Sequence, residues 1–175
     1  TTQVPAATAI LLALLFAAAL IGGNVLKLPF AFNVDFIFGS IFSLVATFLL
    51  GRRWGILCAV LASIHTYFLW NHPYAIVIFS AEVVWVGTAL RRGHRNLLVI
   101  DTLYWVLAGI PLVGLFYGGV QHLGLQSTVV IALKQAMNGI LNALVAGILV
   151  NYLPLGAWLG LPHRRRGFTF GAMVF

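Results

Sequence analysis

All eight arginines of the chain fall in three clusters: Arg52-Arg53, Arg91-Arg92 with Arg95, and Arg164-Arg165-Arg166. Apolar stretches long enough to cross a bilayer once or twice separate them. A water-soluble core has no reason to sort arginine in this way. Membrane insertion does, because it keeps Arg and Lys in cytoplasmic loops, so each cluster marks a return to the inner face. The pattern predicts an all-α polytopic membrane protein with six transmembrane helices and both termini cytoplasmic. Charged residues make up only 7% of the chain and mean hydropathy is +1.04, against about 25% charged residues in soluble domains. The net charge of +7 is then a product of topology, since eight of the ten basic residues sit in the clusters. Nucleic-acid binding is not expected. Cys58 is the single cysteine, which leaves no disulfide framework and no metal-spaced thiols.

The first span is read over residues 5–21, ended by Gly22-Gly23, and an outer loop over 22–35 follows. The second span, 36–51, is short, because about 16 residues at about 1.5 Å each reach only about 24 Å. It ends on Arg52-Arg53 in a minimal turn, so it pairs as a hairpin with the third span, 54–70. Pro73 closes that span's outer turn by blocking helix continuation. The fourth span is placed at 75–90. The fifth, at 97–118, is expected to be disturbed at Pro111. An outer loop over 118–127 carries His122, and the sixth span runs 128–152. Residues 155–161 with Trp158 read as interfacial. The division is a six-helix membrane domain at 1–162 and a basic cytoplasmic linker at 163–175, whose GFTFGAMVF end reads as the start of a further apolar segment.

A charge at membrane depth is costly unless paired or hydrated, so it marks a functional candidate. Three qualify: Glu82, Asp101 and Lys134. Glu82 and Lys134 lie at similar depth with opposite sign, which suggests a pair. Lys134, Asn138 and Asn142 are spaced i, i+4, i+8 and share one helix face, which must avoid lipid. With His65, Trp85 and Ser80, and with Ser63, Thr66 and Tyr67, they outline a polar pocket opening outward. The competing reading for the serines and threonines, Ser40, Ser43 and Thr47 included, is interhelical hydrogen bonding. Asp101, near the inner end of its span, is expected to form a salt bridge with Arg91, Arg92 or Arg95. Ala9, Ala13 and Ala17 are four apart and give the first span a smooth face for close helix approach.

No serine-nucleophile motif, H-E-x-x-H zinc motif or phosphate-binding glycine loop is present. No second deep aspartate stands ready to form a dyad with Asp101. No catalytic residue, metal site or cofactor is expected, and the chain is not read as an enzyme.

The stretch from FGSIFSLVATFLLGRRWG through WNHPY and SAEVVWVGTALRR to DTLYWVLAGIPL resembles the N-terminal multi-span membrane sensor domains of bacterial signalling proteins. Such domains precede histidine-kinase or diguanylate-cyclase outputs. The resemblance covers roughly residues 36–154. It implies an input domain in the bacterial inner membrane that binds a small molecule from the outer side and relays its state to a cytoplasmic signalling domain. More distantly, the six spans and the Ala9-Ala13-Ala17 face resemble the substrate-binding S-components of energy-coupling-factor transporters, where that face docks coupling subunits. A structural anchor for a cytoplasmic partner is the third possibility.

Overall fold

Backbone N–H and C=O groups cannot be left bare in hydrocarbon, and this chain answers with helices. The computed structural model describes residues 5–25, 27–30 and 34–161. It comprises α1 (Ala6–Val25), a hairpin of β1 (Lys27–Phe30) and β2 (Val34–Ile37), α2 (Gly39–Leu50), α3 (Arg52–Trp70), α4 (Tyr74–Arg91), α5 (Leu97–Val120), α6 (Leu125–Tyr152) and the short α7 (Leu155–Trp158). Four helices are long and apolar enough to cross a membrane: α1, α4, α5 and α6. Large apolar side chains face outward along α6 from Leu125 to Ile148, and α1 and α5 expose Leu11, Leu15, Val106 and Leu107. In water so much exposed apolar surface would aggregate, whereas lipid solvates it. The Arg164-Arg165-Arg166 cluster and the tail lie outside the described residues.

Two expectations about element ends are corrected. α1 does not stop at Gly22-Gly23 but continues to Val25. Gly23 permits instead a close crossing with the start of α2, where the Phe38 N–H donates to the Gly23 carbonyl at 3.1 Å. The segment expected as a loop before α2 also holds structure: β1 and β2 pair antiparallel, with Lys27 opposite Ile37 and Phe30 opposite Val34. Pro29 fits here because this two-stranded ribbon consists only of edges.

α2 has only 12 residues, about 18 Å of helix, too few to cross alone. It is nevertheless the hub, packed by α1, α3, α4 and α6. Small residues make the closeness possible. Ala13 of α1, Ala46 of α2 and Cys58 of α3 meet at one point, where the Cys58 thiol reaches the Ala13 carbonyl at 3.2 Å. A Cβ at Gly55 of α3 would overlap Thr47 of α2. The alanine face of α1 is therefore turned inward, with Ala9, Ala13 and Ala17 all buried against α2 and α3.

The disturbance expected at Pro111 takes a specific form. α5 alternates α-helical turns, Leu97–Tyr104 and Ile110–Val113, with π-helical turns at Trp105–Gly109 and Gly114–Val120. Proline offers no N–H to the preceding turn, and wider turns on either side absorb the break. Such π segments are frequent at functional sites.

Candidate functional site

Two apolar clusters fill the helix bundle. One joins Ile41, Leu44 and Val45 of α2 to Val86, Leu97, Ile100, Ala143, Ala146 and Val150. The other joins Ala75, Ile78 and Phe79 of α4 to Tyr104, Trp105, Val113, Tyr117, Ala132 and Ala136. On α4, α5 and α6 alike, the residues between the two clusters include the buried polar ones: Glu82, Asp101, Asn138 and Asn142. The four form a polar layer across the bundle.

Glu82 and Asp101 are both wholly buried, at 0% exposure. Their carboxyl groups adjoin one another across the α4–α5 contact. The indole N–H of Trp105 donates to Glu82 Oε1 at 3.3 Å, whereas among the described residues Glu82 Oε2 and both Asp101 oxygens receive no hydrogen bond from outside the carboxyl pair. The neighbouring Tyr104 hydroxyl donates to the Ile78 carbonyl at 2.6 Å, one turn before Glu82. Tyr104 and Trp105 thus clip α5 to α4 beside the pair. Asp101 and Trp105 are four apart, so both project from one face of α5.

The indole can reach this position because α6 offers no side chain there. A Cβ on Gly139 would overlap the Trp105 ring, and one on Gly109 would crowd its other edge. Trp105 is wholly buried between them. Gly109 of α5 and Gly139 of α6 therefore leave the room that seats this donor against Glu82.

This arrangement corrects two expectations. Asp101 makes no interfacial salt bridge to the Arg91 cluster; it is buried against Glu82 instead. Glu82 has its donor in Trp105 and its acidic neighbour in Asp101, both on α5, in place of the suggested pairing with Lys134. The dyad partner of Asp101 is a glutamate from the preceding helix, so the lack of a second deep aspartate gave no sign of it.

Asn138 and Asn142 also have a different task from the one expected. Asn138 accepts from the Ile37 N–H through Oδ1 at 3.0 Å and returns Nδ2 to the Ile37 carbonyl at 3.0 Å. Asn142 Nδ2 reaches the same carbonyl at 2.9 Å. The two amides hold the end of the hairpin by its backbone.

Among the described residues, several polar groups of the expected outward pocket are bonded within their own helices. Ser43, Thr47 and Thr66 donate to carbonyls three or four residues back in their own helices. Ser40, Ser43 and Ser63 line a void of about 10 Å³ with Leu20, Ala59 and Phe79, room for about one water. Trp85 is partly exposed, its ring 6.2 Å from that of Tyr104. Lys134 is half-buried on α6 and makes a polar contact of its own. The His65 side chain lies outside the described part of the chain. Among the described residues, no three His, Cys, Asp or Glu side chains gather in a metal-binding group.

No known family matches the chain, and neither a curated protein nor a solved structure matches it.

Proposed function

We propose that this chain is a membrane-embedded input domain whose state is set at the Glu82–Asp101 pair by a small positive occupant, a proton or a monovalent cation. The observation that carries the reading is the pair itself. Two wholly buried carboxyls adjoin, and among the described residues the one donor from outside the pair that reaches them is the neutral Trp105 indole. Burying an uncompensated charge costs several kcal/mol, and two like charges repel in addition, so the site favours an added positive charge. The π-helical turns that follow in α5 supply the movable element. A change of register there repositions Trp105 against Gly139, and a population shift between two such packings is what an input domain must transmit.

The membrane frame belongs to the same proposal. In this reading six helices are embedded in a bacterial inner membrane, with the Arg52 and Arg91 clusters and both termini on the cytoplasmic side, as the arginine distribution favours. α2 completes its passage together with the hairpin that precedes it. The state is handed to a cytoplasmic signalling domain of the same chain. The inward-facing, occupied alanine stripe of α1 weighs against docking a transporter's coupling subunits through that face. This reading puts an ion at the carboxyl pair in place of an outer small-molecule ligand, because the pair is where buried charge most needs compensation.

Two experiments test these parts separately. For topology, Cys58 is replaced by alanine and a cysteine is placed at Ser127 or His94. An impermeant thiol reagent should label the Ser127 variant in intact cells and leave His94 unlabelled; the reverse pattern sinks the orientation. For the site, the E82Q and D101N variants and their double form a stability cycle in detergent. Coupling of about 1 kcal/mol or more is expected for a contacting pair, and additivity within about 0.5 kcal/mol would separate the residues.

A further inference from the structure

A second site lies at the arginine end, away from the polar layer. The C-terminal end of α2, the first residue of α3 and the last turn of α4 enclose a cleft of about 490 Å³. Arg52, Arg91 and Arg95 line it, and Phe48 and Leu90 supply apolar wall. Arg52 is held in place: its stem lies over Gly87, where a Cβ would collide with it, and its Nη1 donates to Thr88 Oγ1 at 3.1 Å. That hydroxyl in turn donates to the Val84 carbonyl at 2.6 Å.

Three guanidinium groups around one concavity repel each other unless an anion joins them. The chain cannot supply that anion from its helices. Its only acids are Asp35, Glu82 and Asp101. Glu82 and Asp101 are buried against each other. Asp35 lies on β2, before α2 begins, whereas the cleft lies at the opposite end of that helix. Topology alone explains arginines near a membrane surface, but it does not require three of them to line one cavity beside apolar side chains.

We infer that this cleft binds a phosphate-bearing anion, with Arg52, Arg91 and Arg95 as its ligands. Guanidinium groups match phosphate oxygens with paired, charge-assisted hydrogen bonds. Basic pockets at the cytoplasmic ends of membrane helices suit phospholipid headgroups, and Phe48 and Leu90 would meet the first carbons of an acyl chain. A soluble phosphate shares the headgroup chemistry without using that wall. The inference stands independently of the occupant of the carboxyl pair.

The test is thermal unfolding of the chain in neutral phosphatidylcholine-based micelles, titrated either with phosphatidylglycerol or with inorganic pyrophosphate. Stabilisation by phosphatidylglycerol alone identifies a headgroup site; equal stabilisation by pyrophosphate identifies a soluble phosphate site. The R91Q/R95Q variant should bind the effective anion about a hundredfold more weakly, at about tenfold for each lost charge-assisted contact. The R53Q/R92Q variant removes the same charge outside the cleft and should lose about fivefold or less. All four arginines are exposed, so neither variant removes a buried group. The inference is overturned if neither anion stabilises the chain, or if the two variants weaken binding equally.

Discussion

The side chain of Asn138 makes with Ile37 the two hydrogen bonds that a neighbouring strand would make, one accepted and one donated, both at 3.0 Å. Asn138 lies at the middle of α6, which runs from Leu125 to Tyr152, so either end is about 20 Å away. The hairpin backbone thus reaches the central level of a helix whose outer face is apolar along most of its length. Non-helical backbone is tolerated at such depth only inside protein and with its polar groups satisfied. Asn138 and Asn142 meet that requirement, and the shortness of α2 is its consequence.

Replacing Asn138 by leucine should therefore act on the fold. The Ile37 N–H loses its Asn138 acceptor, at about 1–3 kcal/mol if left unsatisfied, and the Ile37 carbonyl loses one of two donors, at about 1 kcal/mol. Denaturant unfolding in detergent should show a loss of about 2–4 kcal/mol. N142L should lose only about 1 kcal/mol, because the Ile37 carbonyl keeps Asn138. Equal losses from the two variants would contradict the clamp.

Gly139 should not tolerate alanine. On helix propensity alone the substitution would stabilise by about 1 kcal/mol. The added methyl instead enters the Trp105 indole, and overpacking costs about 1–3 kcal/mol or more. Gly114 of α5 has open space around its Cβ position, so G114A should be neutral or slightly stabilising. Adding W105F to G139A should recover part of the loss, since the smaller ring leaves room. If G139A is as stable as the parent, Trp105 is not wedged there.

Much of the architecture is legible in the amino-acid order alone. The arginine clusters and apolar spacing point to a helical membrane protein, and the bounds of α3, α4 and α6 fall within a few residues of those expected. Glu82, Asn138 and Asn142 stand out because polar groups within apolar helices are expensive. Their partners do not. Which helices neighbour one another is a tertiary fact, and equal depth favours Lys134 over Asp101, which is nearer the end of its helix. The asparagines mislead for a related reason: an amide bonded to backbone looks, in sequence, the same as one lining a pocket. Gly139 carries a readable hint, as a glycine beside Asn138 in the middle of a long helix.

The turn between α3 and α4 predicts a pH effect. His72 stacks on Tyr74 with ring centres 4.8 Å apart and meets the edge of Tyr117 at 5.2 Å. Burial lowers the imidazole pKa below its usual value of 6.5. The unfolded chain therefore binds a proton at His72 more readily than the folded one, and stability falls as pH drops below about 6.5. H72F keeps a stacking ring and should flatten that part of the stability–pH curve. An unchanged curve would exclude His72 as the source of the effect.

The most direct test of the carboxyl-pair proposal uses Trp105 as its own reporter. With Trp54, Trp70, Trp85 and Trp158 replaced by phenylalanine, the emission of Trp105 is followed across a pH titration and against added sodium or potassium. Occupation of the Glu82–Asp101 pair should shift that emission in one transition, and either E82Q or D101N should abolish or displace it. Emission that stays constant under both titrations, or that follows the same curve in all three proteins, would contradict the proposal.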